Sequence, residues 1–110
     1  MGRLDASIYL DTIQVYQIEM TSEFAGWLND LRDRSIKLRV VARLRHATAG
    51  HFGDWKQLEG ALAEMRLQFG PGYRLYFTRR DKTLIVMLAG GDKSSQKRDI
   101  EKAKRLMQEL

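Results

Sequence analysis

The sequence places two arginines and a carboxylate on the polar positions of two adjacent predicted strands. Residues 63–78 alternate apolar and polar side chains on either side of a Gly-Pro-Gly break, and this pattern predicts a β-hairpin. Because strand side chains point alternately to opposite faces, Glu64, Arg66, Arg74 and Tyr76 belong to one face. Guanidinium groups so close together repel each other unless an anion lies between them. The pattern indicates a phosphate site, and the alternative is an ordinary solvated sheet face.

The hairpin register predicts how these side chains meet. We expect Phe69 to pair with Tyr73 across a three-residue loop, because this pairing keeps the two apolar sets on one face. The same register sets Arg66 opposite Tyr76 and diagonally beside Arg74. Two guanidinium groups and a phenol are then neighbours on the polar face.

A second group of polar residues follows the last predicted strand. Residues 90–91 are both glycine, which allows the backbone to approach a ligand closely, and residues 92–95 offer side chains that cap a helix. Lys93 lies at this helix start, where anions are favoured. The alternative is that the glycines only permit the turn.

The spacing of apolar residues predicts the elements that position these groups. Residues 13–20 are rich in β-branched and aromatic types and predict a strand, which is followed by a helix capped by Thr21 or Ser22. A second helix is predicted over residues 35–48, with four basic residues on its surface, Arg43 among them. Two short helices joined by a three-residue linker predict a helical hairpin.

The remainder of the chain completes the predicted fold. Residues 50–56 form a predicted glycine-punctuated loop that contains His51, a candidate acid or base, and ends at Lys56. After the hairpin, residues 84–89 form an unbroken apolar run typical of a buried strand, and an amphipathic helix follows. The predicted fold class is therefore α+β, a small, mostly antiparallel sheet of about four strands with an N-terminal helical hairpin and a C-terminal helix.

The composition limits the class of protein. The chain has 110 residues, no cysteine and two histidines, so we expect no disulfide, no metal and no cofactor. No apolar run approaches the roughly 20 residues that a membrane span needs, so we expect a cytoplasmic protein with no membrane contact. We expect a loose extension at residues 1–12 and a single domain over residues 13–110.

The positive charge is concentrated in the half that contains the hairpin. Residues 1–55 are neutral overall, so residues 56–110 carry the whole net charge of +5. This asymmetry favours a polyanionic partner, nucleic acid above all.

Several short strings, in order, resemble one protein family. The chain is similar over residues 13–110 to the RelE/ParE toxin superfamily, and within it to the HigB-like addiction module killer proteins. The strings are FAGWL at residues 24–28, RL at 43–44, FGDWK at 52–56, EMR at 64–66, FGPGYRLYF at 69–77 and GGDKSSQ at 90–96, followed by Asp99-Ile100.

The resemblance implies a toxin of a type II toxin-antitoxin pair. Such proteins cleave translated mRNA in the ribosomal A site, and a cognate antitoxin neutralises them by covering the basic face. Operator DNA is a further partner of the toxin-antitoxin complex. Arg66, Arg74 and Lys93 match basic positions of the family's active face.

Metal-free RNA cleavage needs a base for the ribose 2′-hydroxyl, a cation for the phosphorane and a proton for the leaving oxygen. We expect Arg74 to clamp the phosphate, Arg66 to support it, and Lys93 to stabilise charge or donate the proton. Glu64 is the candidate base, or else it only balances charge. The further RNA-binding candidates are Lys56, Tyr76, Lys97 and Arg98.

Two other functions fit the same sequence. Residues 90–110 contain neither histidine nor tyrosine, which family ribonucleases often carry near the last helix, so the resemblance does not identify the general acid. The first alternative is a ParE-type topoisomerase inhibitor that cleaves no RNA, since one fold supports several functions. The second is a non-catalytic module that only binds nucleic acid.

Overall fold

The computed structural model describes residues 15–110, so the predicted extension at residues 1–12 and the start of the predicted strand at residues 13–20 lie outside the described range. The elements are β1 (Gln17–Met20), α1 (Ser22–Asp30), α2 (Arg34–Thr48), β2 (Trp55–Glu59), β3 (Leu62–Leu67), β4 (Tyr73–Arg80), β5 (Leu84–Asp92), a 3-10 turn (Lys93–Ser95) and α3 (Gln96–Gln108).

The described strands form one mixed sheet of five strands, in the order β1-β5-β4-β3-β2. β1 runs parallel to β5, and the other pairs are antiparallel. The prediction of about four strands with an N-terminal helical hairpin is therefore wrong. The described sheet has five strands, and both helices contact it, α1 on β5 and β1 and α2 on β1, so they do not form a separate N-terminal hairpin. The strand predicted before the helices is present as β1.

The strand that sequence reasoning missed is β2. The prediction of a loop over residues 50–56 is wrong at its end, because Trp55 and Lys56 begin this strand. β2 lies at the edge of the described sheet and exposes most of its residues, so its sequence lacks the alternation of a half-buried strand. Gly60, with φ of 55°, begins the tight turn into β3.

The hairpin of β3 and β4 has a different register from the predicted one. Arg66 lies directly opposite Arg74, and Glu64 lies opposite Tyr76. The predicted register is wrong by two residues, because the connection contains five residues, 68–72, rather than three. A shift of two leaves every side chain on its face. The predicted composition of the polar face is therefore confirmed.

Side-chain caps begin both of the first two helices. The hydroxyl of Thr21 accepts a hydrogen bond from the Phe24 amide at 3.1 Å and donates to the Leu88 carbonyl at 2.6 Å. The predicted cap at Thr21 is confirmed, and it also ties α1 to β5. α2 begins after Asp33, and hydrogen bonds from Ser35 lower the pKa of this carboxyl.

Helices cover both faces of the sheet. α1 and α2 enclose one cluster of buried side chains, which includes Phe24, Val40, Leu44, Met65, Leu75, Phe77 and Met87. α3 covers the other face, with a cluster of Leu62, Tyr76, Val86, Leu88, Ala89, Ala103 and Leu106. Glu64 points to the α3 side and is fully buried. The alternative of a solvated polar face is therefore wrong for this residue.

In the described part of the chain, no helix combines the length and the apolar composition needed to cross a membrane.

Candidate functional site

A cleft of about 420 Å³ lies beside the hairpin loop, and Arg66, Arg74 and Lys93 line it. The sheet register explains their convergence. Arg66 and Arg74 are paired across β3 and β4, and Arg74 is paired with Gly91 on β5, two residues before Lys93. Arg66 on β3, Arg74 on β4 and Lys93 just after β5 therefore lie at the same opening.

Glu64 lies beneath these cations. Its Oε1 is 3.0 Å from Nη1 of Arg74 and 3.8 Å from Nε of Arg66, and its side chain has no exposed surface. The nearby guanidinium groups offset the cost of burying the carboxylate. The carboxylate in turn fixes the position of Arg74, whose side chain is only 15% exposed.

Buried polar atoms without a hydrogen-bond partner are concentrated at this place. Within the described residues they are Glu64 Oε2, Arg66 Nε, Arg74 Nε and Tyr76 OH. Each such atom costs about 1–3 kcal/mol, and folded proteins contain few of them. An anion already lies near one of the two Nε–H groups, because Glu64 Oε1 is 3.8 Å from Arg66 Nε, and this carboxylate offsets part of the cost within the protein.

Tyr76 is fully buried beneath α3. Burial raises the pKa of its hydroxyl, and the nearby carboxylates of Glu64 and Asp99 raise this pKa further. The phenol therefore stays protonated at neutral pH. A tyrosine that binds RNA by stacking needs an accessible ring, and this conformation does not present the Tyr76 ring to the cleft.

Asp54, which sequence reasoning did not assign, lies beside the cleft and contacts two residues that line it. It precedes β2, and its side chain is 42% exposed. Its Oδ1 is 3.6 Å from Nη2 of Arg66, and its Oδ2 accepts a hydrogen bond from Gln68 Nε2 at 2.8 Å. The only signal in the sequence was its place in the FGDWK string, because the pairing with Arg66 depends on the β2–β3 register.

Arg43, one of the four basic residues predicted on the surface of α2, has a structural role instead of a solvated one. Its guanidinium donates to the carbonyl oxygens of Phe52, Arg66 and Asp54 at 3.0, 2.9 and 2.7 Å. Partial burial lowers its pKa. A Cβ atom at Gly53 would come within 2.6 Å of this guanidinium, and the backbone φ there is 67°, so any other residue would be strained and would displace Arg43. Arg43 thus ties α2 to the segment that carries Asp54.

The other predicted RNA-binding residues lie around the cleft rather than in it. Lys56 is exposed on β2, opposite Glu64 and on the same face of the sheet. Lys97 and Arg98 are exposed on α3 and line a separate groove of about 590 Å³. Together with Lys93, Lys97 and Arg98 extend the positive charge from the cleft along α3.

The two glycines at the end of β5 serve internal packing rather than close approach to a ligand. A Cβ atom at Gly90 would overlap the ring of Trp27, and one at Gly91 would overlap the carboxylate of Asp99. Asp99 is buried and accepts a hydrogen bond from Ser95 at 2.5 Å. These contacts seat α1 and α3 on opposite faces of β5.

Comparison with known proteins identifies an uncharacterized relative. No protein-family model matches the chain. A protein of Haemophilus influenzae strain Rd, described as uncharacterized, is 40% identical over 94 residues, which are 86% of this chain and 95% of that protein. Identity at this level over nearly the whole of both chains shows common descent. The chain belongs to the same family as this Haemophilus influenzae protein.

Proposed function

We propose that the chain is the toxin of a type II toxin-antitoxin pair, a ribosome-dependent endoribonuclease that acts on translated mRNA in the cytoplasm. The observation that carries the proposal is the convergence of Arg66, Arg74 and Lys93 on one cleft above a buried carboxylate. These three cations face two carboxylates, Glu64 and Asp54, so the opening keeps a net positive charge that attracts an anion. A phosphodiester is an anion of the right size and chemistry.

The proposed reaction is an attack of the ribose 2′-oxygen on the adjacent phosphorus, without metal or cofactor. Arg74 and Arg66 donate hydrogen bonds to the phosphate oxygens and stabilise the charge of the phosphorane. Lys93, exposed at the rim, donates the proton to the leaving 5′-oxygen. Glu64 has no access to the substrate, so it serves this reaction by holding the Arg74 guanidinium in place.

The ribosome is proposed as the partner that orients the mRNA. The aromatic residue in the lining of the cleft, Tyr73, packs against Trp27 and Phe69, which leaves its ring poorly placed for a base to stack on it. Correct orientation of the reacting atoms accounts for a large part of the rate of such reactions. We therefore expect poor cleavage of free RNA and efficient cleavage of translated mRNA.

The proposed antitoxin carries acidic groups that cover the cleft and the start of α3. Lys97 and Arg98 follow Lys93 in the chain, line the groove along α3 and extend the positive surface that such a partner would neutralise. An antitoxin bound here excludes mRNA by occupying the same cations. The toxin-antitoxin complex is in turn a candidate for binding operator DNA.

The test is primer extension on a translated reporter mRNA after brief induction in bacteria. We expect new 5′ ends within the translated message and none in an untranslated control message. Lys93→Ala should reduce these ends about 100-fold, because it removes the proton donor without changing buried contacts. Lys82→Ala should leave them unchanged, because this equally exposed lysine lies in the turn at the opposite end of β5.

Arg74 needs a conservative substitution, because Arg74→Ala would leave Glu64 buried without its nearest cation. Arg74→Lys keeps the charge and loses the forked donor geometry, so we expect cleavage to fall while the protein stays folded. Growth arrest without new 5′ ends, accompanied by a DNA-damage response, would contradict the ribonuclease and support a topoisomerase inhibitor. RNA binding with neither cleavage nor arrest would support a non-catalytic module.

A further inference from the structure

The proposed reaction still lacks a group that takes the proton from the 2′-hydroxyl. Sequence reasoning offers Glu64, but this side chain is fully buried, and its Oε1 is 3.0 Å from a guanidinium nitrogen of Arg74. A general base must come within hydrogen-bond reach of the proton that it removes. Glu64 does not reach the substrate without displacement of the arginines that bind it.

Asp54 is an accessible carboxylate beside the cleft, in contact with Arg66 and Gln68, which line it. Its side chain is 42% exposed, and its Oδ1 lies 3.6 Å from Nη2 of Arg66, one of the proposed phosphate ligands. A phosphate held by Arg66 would therefore lie beside this carboxylate. No other carboxylate of the described chain forms an ion pair with Arg66 and remains accessible.

The carboxylate is held in a defined position. Gln68, which lines the cleft, donates to Oδ2 at 2.8 Å. The backbone carbonyl of Asp54 accepts hydrogen bonds from the Arg66 amide at 2.8 Å and from Arg43 at 2.7 Å. Asp54 is thus fixed relative to Arg66 through both its main chain and its side chain, which is the preorganisation that a base requires.

The sheet also places the acid and the base on opposite sides of the phosphate ligands. At this end of the sheet the four residues stand in a row across neighbouring strands. Asp54 lies just before β2, Arg66 on β3, Arg74 on β4 and Lys93 just after β5. In-line attack places the attacking and leaving oxygens on opposite sides of phosphorus. A base at one end of this row and an acid at the other match that requirement.

We propose that Asp54 is the general base of this site, an inference that rests on the proposed ribonuclease function. Asp54 accepts the 2′-hydroxyl proton while the 2′-oxygen forms a bond to phosphorus and the bond from phosphorus to the 5′-oxygen breaks. Lys93 gives its proton to that oxygen. The products are a 2′,3′-cyclic phosphate and a 5′-hydroxyl, and exchange with water restores both side chains.

The test compares Asp54→Asn with wild type in single-turnover cleavage of mRNA on programmed ribosomes. Asparagine keeps the size of the side chain and an oxygen that accepts from Gln68, but it does not accept the proton. We expect the cleavage rate to fall about 10²–10⁴-fold, the range for general-base catalysis. Ribosome affinity should stay equal or increase, because a negative charge beside the phosphate site is removed.

Two further variants separate a base from a charge partner. Glu59→Gln makes the same change of charge at an exposed carboxylate, which lies 2.5 Å from Lys104 and outside the cleft, and should leave the rate unchanged. Asp54→Glu keeps a carboxylate at a displaced position and should recover part of the activity lost in Asp54→Asn.

The outcomes distinguish this inference from the function on which it rests. If wild type cleaves and Asp54→Asn cleaves within tenfold of it, Asp54 only balances the charge of Arg66 and the inference is overturned. Loss of the folded state in Asp54→Asn and Asp54→Glu alike would also overturn it, as a structural role. If wild type itself leaves translated mRNA intact, the proposed function fails first.

Discussion

At the scale of single residues, Glu64 is the side chain on which the site depends. A carboxylate with no exposed surface is stable in a protein only when cations or hydrogen bonds compensate for lost hydration. Arg74 supplies most of this compensation at 3.0 Å, and Arg66 contributes from 3.8 Å. The same contacts hold the guanidinium groups at the cleft, so folding and the proposed phosphate binding depend on one buried charge cluster.

We predict that Glu64→Ala lowers the free energy of unfolding by about 3 kcal/mol, because it leaves the largely buried Arg74 without its carboxylate. Urea unfolding followed by the fluorescence of Trp27 and Trp55 measures the change. Glu59→Ala is the matched control, because Glu59 also lies on a strand and pairs with a lysine but is 70% exposed. This control should cost less than about 1 kcal/mol.

A cost of Glu64→Ala no larger than that of Glu59→Ala would show that the cluster is not buried as described. The double variant Glu64→Leu with Arg74→Leu provides a further check. Replacing both members of a buried pair by apolar residues is often neutral or stabilising. Recovery of stability in the double variant would identify the unpaired charge as the cause of the loss.

At the scale of elements, β5 joins the two helical layers of the molecule. Trp27 of α1 packs over Gly90, and Asp99 of α3 packs against Gly91 from the other side. Neighbouring strand residues face opposite ways, so two adjacent glycines allow one helix to approach each face closely. The Gly-Gly pair is therefore a packing feature, and Lys93 is positioned by the strand that this packing fixes.

We predict that Gly90→Ala lowers the free energy of unfolding by about 2 kcal/mol, because the added methyl group overlaps the Trp27 ring. Gly26→Ala is the matched control within α1. A methyl group at Gly26 would meet nothing beyond the backbone of its own helix turn, so alanine there should stabilise the protein by up to about 1 kcal/mol. Thermal or urea unfolding of the two variants gives both values, and equal effects would contradict the tight packing at Gly90.

At the scale of the whole molecule, the described sheet is the frame on which all parts of the site are placed. β4 is its central strand, with β3 and β5 on either side and helices on both faces. β2 lies at an edge and is mostly exposed. The two arginines of the cleft stand on the interior strands, whereas Asp54 stands at the start of the edge strand.

We predict that hydrogen exchange is slowest in β4, whose amides should exchange only through global unfolding, and much faster at the outward-facing amides of β2. Measurement by NMR on the folded protein resolves the strands individually. Protection of β2 equal to that of β4 would mean that another segment covers this edge. Such a result would contradict the position of β2 at the edge of the sheet.

The sequence was most informative about the hairpin. Alternation assigned Glu64, Arg66, Arg74 and Tyr76 to one face, and the structure confirms that assignment. The predicted register was wrong, because two registers that differ by two residues place the same side chains on the same face, and alternation alone does not distinguish them. The loop length, which decides the register, depends on how the residues beside the Gly-Pro-Gly turn pack.

The local sequence pattern did not predict features that depend on contacts between residues distant in the chain. The parallel pairing of β1 with β5 joins segments more than 60 residues apart. β2 has no clear alternation, because an exposed edge strand needs none. Asp54 and Arg43 gain their roles only from the segments brought beside them, so neither side chain differs in sequence from an ordinary surface charge.

The sequence by itself determined the α+β class, a helix cap at Thr21 or its neighbour, the faces of the hairpin and the surplus of positive charge in the second half of the chain. These properties follow from local periodicity and composition, which require no knowledge of neighbours. Only the tertiary structure decided that α3 buries Glu64 and Tyr76, and that Asp54 reaches Arg66. Burial and pairing of a charge depend on what packs against it, and that is a property of the folded chain.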